Sequence, residues 1–262
     1  MKRLSWLLIL PLCLILVMTA SAGACRAAGT QVIHVVVALC DNVNQGIVPV
    51  PARIGNGRDP ANNLYWGAAH GVKHFFGKQP EWKLVLQQQN PTPEILERLV
   101  FKHKTRDAYL VADAWAGEEI KAATVAFFNY TAGREGFQVQ PTEGAPVPAG
   151  GNADLVVYIG HNGLMDFTLD DTPTVQNAGT SRKAAVFACK SKSYYSEALQ
   201  KAGAEPLVMT TNFMCPEAYT THALIAGYLA GDKPQALRER VAEAYNKYQK
   251  CGLGGARRLF GG

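Results

Sequence analysis

The sequence predicts an α/β domain, a three-layer α/β/α sandwich around a mostly parallel central sheet, on three observations. β-branched apolar runs alternate with amphipathic helical patterns over most of residues 31–250. The run at 32–39 is almost continuously apolar, as a strand is when helices cover both its faces. Two later runs stop abruptly at reactive residues, Gly160-His161 and Ala188-Cys189, and the carboxyl edge of a parallel sheet is where open α/β folds build their sites. With 48% hydrophobic and 18% charged residues among 262, and no shift in composition along it, the chain is expected to form one domain over 31–252, with 253–262 as a short tail.

In chain order, Lys2-Arg3, an apolar run from Leu4 to Thr19 and the small residues Ala20-Ser21-Ala22 or Ala22-Gly23-Ala24 form the pattern of an export signal over 1–24. The run, about 16 residues broken by Pro11, falls short of the roughly 20 needed to span a bilayer. Cys25 follows Ala22-Gly23-Ala24 as the cysteine follows a bacterial lipobox, so it is a lipidation candidate that would attach the protein to a membrane. The expected location is the periplasm, the envelope or the exterior. Loss of Lys2 and Arg3 takes the net charge from +5 to +3, and no basic run remains to read as a nucleic-acid arm.

The strand at 32–39 should be central. Asn62 is then expected to cap a helix carrying Leu64, Tyr65, Ala68, Val72, Phe75 and Phe76, with Gly77 as its stop. A short strand follows at 82–86, and Thr92-Pro93 is expected to open a helix presenting Ile95, Leu96, Leu99 and Val100. Residues 108–113 read as a strand and 118–129 as a helix with Glu118 and Glu119 in its first turn. The Pro- and Gly-rich stretch 133–151 reads as a loop or irregular hairpin passing over the active edge. The His and Cys strands come next, then a strand at 205–211. Two helices follow, one with Pro216 in its first turn and one from Pro234 aligning Leu237, Val241, Tyr245 and Tyr248.

A thiol attacks a carbonyl as the thiolate, and a nearby imidazole takes its proton. His161 and Cys189 end strands that the topology makes neighbours, so they are the candidate base and nucleophile. Gly160 and Gly163 beside the histidine let the backbone approach a substrate and offer N–H groups to an oxyanion.

The apolar strand ending Gly160-His161 followed by the apolar strand ending Ala188-Cys189-Lys190-Ser191 resembles the caspase-fold cysteine peptidases, a group that includes caspases, metacaspases, legumains, gingipains and clostripain. The resemblance implies a Cys189–His161 dyad that hydrolyses a peptide bond through a thioester, with Gly163 in the oxyanion hole, a protein or peptide as substrate and no cofactor. It also makes Asp41 or Asp113 a candidate pocket acid for a basic substrate side chain, although a strand-end Asp is also a common turn former. Asn212, at the end of the last predicted strand, is a further substrate-binding candidate.

Two other function classes stay open. One is an envelope binding or structural protein on the same fold without turnover. The other is a metal-dependent hydrolase in which Cys40, His161, Cys189 and Cys215 converge, although no C-x-x-C or H-x-x-x-H pair supports a zinc site at that edge and none is assigned. A Cys40–Cys215 disulfide bracing the edge is the expected use of those two cysteines. His70 and His74 have metal-like spacing but no accompanying acid, and are read as surface or interface histidines.

Overall fold

The computed structural model describes residues 29–176 and 182–260; the predicted export signal and Cys25 lie outside them. The first apolar run forms β1 (Gln31–Ala38), in which every residue but Gln31 is buried. It is followed by α1 (Val72–Gly77), β2 (Trp82–Gln89), β3 (Ile95–His103), β4 (Ala108–Trp115) and α2 (Ile120–Thr131). A small hairpin, β5 (Phe137–Val139) with β6 (Val147–Ala149), precedes β7 (Leu155–Ile159), β8 (Lys183–Phe187), α3 (Ser191–Lys201) and β9 (Glu205–Val208). The chain closes with α4 (Ala218–Ala230), α5 (Pro234–Gln249) and α6 (Leu253–Phe260).

The main sheet has seven strands in the order β2-β3-β4-β1-β7-β8-β9. β4, β1, β7, β8 and β9 run parallel, and β3 and β2 are added antiparallel beyond β4. β1 is therefore central, flanked by β4 and β7, and its buried residues divide by parity: Ile33, Val35 and Val37 join the core under α4, α5 and α6, while Val32, Val36 and Ala38 join the core under α2 and α3. All five parallel strands end at one edge, which carries Leu39-Cys40-Asp41, Gly160-His161 and Ala188-Cys189.

Four sequence expectations are corrected. Residues 95–100 form β3 rather than a helix. β3 lies between two partners and is buried on both sides, so its apolar residues run nearly without a break and mimic helical spacing. The helix expected from Asn62 shrinks to the six residues of α1, because the buried Asn63 side chain bonds the Cys40 carbonyl (2.8 Å), the Cys40 amide (3.1 Å), the Asn56 carbonyl (2.9 Å) and the Tyr65 amide (3.1 Å), and such bonds compete with helical ones. The tail is a helix, α6, burying Ala256, Leu259 and Phe260 against the core. The 133–151 excursion does not pass over the active edge: its hairpin packs on β1, Gly150 donates to the buried His34, and Thr142 reaches Val85 of the outer strand.

Candidate active site

The two strand tips are built differently. Gly160 follows β7 at φ +149°, and a Cβ there would lie 2.8 Å from the Ala38 carbonyl, so only glycine lets the chain leave β7 this close to the end of β1. His161 follows; its carbonyl accepts from the buried Tyr158 hydroxyl at 2.9 Å. Its Nε2 lies 2.8 Å from Asp166 Oδ2. A carboxylate only accepts, so Nε2 carries the proton and Nδ1 is the basic nitrogen. Asp166 also accepts from Gly46 N at 2.8 Å, tying the loop after β1 to the loop after β7. A Cβ on Gly46 would come within 2.4 Å of Asp166 Oδ1, so this bridge needs a glycine.

At the other tip, Cys189 leads into α3 through Lys190, a non-glycine residue in the left-handed region (φ 51°, ψ 30°). The strained turn is held from several sides. Lys190 N donates to Asn212 O at 2.9 Å and its ammonium sits 4.6 Å from the Phe213 ring. Beneath it, the buried Ser191 and Thr210 bind one another and the backbone: Ser191 Oγ donates to Val186 O at 3.0 Å and accepts from Thr210 N at 2.8 Å, while Thr210 Oγ1 bonds the Ala188 carbonyl. Asn162, fully buried, donates to the Cys189 carbonyl at 2.7 Å and accepts from Leu164 N at 3.1 Å, so the residue beside the histidine ties the two tips together.

Cys189 and His161 line one open cleft of about 370 Å³, with walls from the loop after β1, the loop after β7 and residues 213–217. The thiol rests against the Met214 backbone, Sγ lying 3.4 Å from Met214 N and 3.6 Å from Met214 O. Among the described residues no hydrogen bond joins it to His161. Burial pushes the thiol of Cys40, with Tyr65 of the cleft wall nearby, up to about 11. Burial, with Glu217 nearby, also raises the Cys215 thiol. Cys40 and Cys215 are both free, so the expected disulfide does not form: Cys40 is sealed in the core, while Cys215 stands on the cleft wall with its amide on the Tyr245 hydroxyl.

The remaining candidates do not meet at the cleft. Gly163 packs away from it, with the Phe167 ring 2.6 Å and Ile120 3.2 Å from where a Cβ would stand, so it is a packing glycine, while Gly46 and Gly160 are in the cleft wall. Asp41 is a turn former, accepting from Val43 N at 2.8 Å and from the Asn44 side chain at 2.9 Å. Asp113 is fully buried in mid-strand, gripped by Arg98 at 2.6 and 2.7 Å and by His34 at 3.1 Å. Asn212 uses its carbonyl on Lys190 and its side chain on Phe213 N, outside the cleft. His70 precedes α1 and packs edge-on against Tyr219 and Tyr248. No three His, Cys, Asp or Glu side chains converge as metal ligands among the described residues.

Sequence reasoning missed Asp166, Asn162 and the Ser191–Thr210 pair. The only sequence trace of Asp166 is an acid five residues after the strand-end histidine, a spacing that any loop can show. No protein-family model, curated protein or solved structure matches this chain.

Proposed function

We propose that this protein is an exported cysteine endopeptidase with a caspase-like three-layer fold, hydrolysing peptide bonds through Cys189 and His161. One observation carries the reading: adjacent parallel strands deliver a thiol and an imidazole to the same open cleft, and the far nitrogen of that imidazole is held by a carboxylate. In the proposed reaction Nδ1 of His161 takes the Cys189 proton and the sulfur attacks the peptide carbonyl. The imidazolium then protonates the departing amine, leaving a thioester. Water, deprotonated by the same Nδ1, hydrolyses the thioester and regenerates the thiol. Asp166 acts as a positioning residue that holds the ring and the Nε2–H tautomer. The positive end of α3 next to Cys189 favours the negative charge that develops there.

The thiol must first turn from the Met214 backbone towards His161, a side-chain rotation of the kind that takes picoseconds to nanoseconds when exposed. No cofactor enters these steps. Export, and membrane attachment if Cys25 is lipidated, rest on the pattern of residues 1–25.

Incubation with a fluorogenic peptide library, together with mass mapping after iodoacetamide, tests the reading. Hydrolysis should vanish in Cys189→Ala, and Cys189 should alkylate ahead of the exposed Cys215 and Cys251. Retention of all hydrolysis by Cys189→Ala overturns it. The Met214 contact favours a second reading, a binding domain without turnover. In that case the wild type cleaves nothing and Cys189→Ala recovers the same partner with equal affinity.

A further inference from the structure

The cleft is apolar where it would hold a substrate. Val48, Val50, Leu64, Met165, Phe213 and Met214 are among the apolar side chains of its walls. Val48 and Phe213 are 87% and 61% exposed, and Met165 is 38% exposed, so three of the seven most exposed large apolar side chains among the described residues ring one opening. Exposed apolar groups gathered in one place mark a surface that something apolar covers.

Charge narrows what that something is. No Lys or Arg lines the cleft, and the nearby Lys190 ammonium is engaged on the Phe213 ring, so the walls offer no Lys or Arg to pair with an acidic side chain. The acids that sequence reasoning offered for a basic side chain are committed elsewhere, Asp41 to its own turn and Asp113 to Arg98 and His34. The one carboxylate on the lining, Glu217, accepts from Gln249 at 3.1 Å, and that amide also bonds the Tyr219 hydroxyl at 2.8 Å.

We infer that the cleft selects a large apolar side chain, of the size of Leu or Phe, on the acyl side of the scissile bond, and that Val48 and Phe213 close over it. This rests on the peptidase reading above. It follows from the same rule that makes burial of a charged group costly and burial of an apolar one favourable: a charged side chain would lose its water at largely apolar walls, where an acidic one meets no Lys or Arg and a basic one meets only Glu217, already bonded to Gln249.

Peptidyl chloromethyl ketones that differ only in the last side chain test it without requiring turnover. Ala-Ala-Phe, Ala-Ala-Leu, Ala-Ala-Arg, Ala-Ala-Asp and Ala-Ala-Asn probes are compared by the rate at which each alkylates Cys189, read by mass spectrometry. The Phe and Leu probes should react about 100-fold faster than the Arg and Asp probes. The double variant V48S/F213S, both positions exposed, should narrow that ratio to roughly tenfold. Rates that are equal across the series, including no labelling at all, or that favour Arg, Asp or Asn, overturn the inference. So does an unchanged ratio in the double variant. Faster modification of Cys189 by 2-bromohexadecanoate than by the Phe probe assigns the cleft to a fatty acyl chain and overturns it as well. Phe-selective alkylation with no peptide hydrolysed supports the selectivity and overturns only the peptidase reading.

Discussion

Among the described residues two histidine–aspartate pairs form, and they have opposite characters. His34 Nε2 meets Asp113 at 3.1 Å with both side chains fully buried. Every polar atom of that pair is occupied: Arg98 forks onto both Asp113 oxygens, Gly150 N–H donates to His34 Nδ1 at 2.8 Å, and Tyr130 stacks on the ring at 5.0 Å. His161 Nε2 meets Asp166 at the shorter distance of 2.8 Å, yet Asp166 keeps 30% of its side chain exposed, and among the described residues no hydrogen bond reaches Nδ1 of His161. The same two residue types therefore make a sealed brace in one place and an available base in the other. The difference lies in which ring nitrogen is left open and whether a cleft and a thiol lie beside it.

The largest effect that sharpens this contrast is at the base itself. His161→Ala should lower peptide hydrolysis by at least about 10³-fold while leaving the urea midpoint nearly unchanged. Asp166→Asn should lower kcat by roughly 10²–10⁴-fold with little change in KM, because the amide can stabilise the wrong ring tautomer. Equal kcat in wild type and Asp166→Asn would remove Asp166 from the mechanism.

The sealed pair should answer to stability instead. Asp113→Ala leaves the Arg98 charge buried without its partner and should cost about 3–5 kcal/mol in urea unfolding. Intact stability would break the contrast by showing that the pair is not a brace.

Acid should act on buried carboxyls of this kind. Burial pushes the Asp113 carboxyl up, but Arg98 and His34 outweigh burial and hold it below the usual carboxylate range. Glu97 behaves alike: burial raises it, and Lys73, Trp66 and Gln89 bring it below its ordinary value. Carboxyls depressed in the folded state contribute stability in full above their unfolded pKa, near 4, and lose it as pH falls through the folded value. Unfolding midpoints should therefore drop as pH falls below about 4, with a shallower drop in Asp113→Asn.

The smallest expected effect is at the turn under the nucleophile. Ser191→Ala orphans Thr210 N–H and should cost about 1–3 kcal/mol, with some loss of activity because the Cys189 turn loosens. A loss of activity without loss of stability would make Ser191 part of the chemistry rather than of the scaffold.

What could be read from the sequence follows from how deeply each element is buried. β1, β4, β7 and β8 show as apolar runs because two covered faces leave little room for polar residues, and α5 shows because only one of its faces is buried. β3 was misread for the same reason. Its Glu97 and Arg98 are buried, one on Trp66 and Lys73 and the other on Asp113, and these partners lie 31, 24 and 15 residues away.

By itself, the sequence determined an α/β chain with His161 and Cys189 at the ends of consecutive apolar strands, because burial writes itself locally into apolar runs and a strand's end into the residue where the run stops. The tertiary structure decided the rest: that the expected neighbours β7 and β8 do pair, that Asp166 and not Asp41 or Asp113 bonds His161, that Cys40 and Cys215 stay unpaired, and that the cleft is largely apolar. These depend on which loops fold against one another, and a contact such as that of Gly46 with Asp166 joins residues 120 positions apart whose spacing carries no local signal.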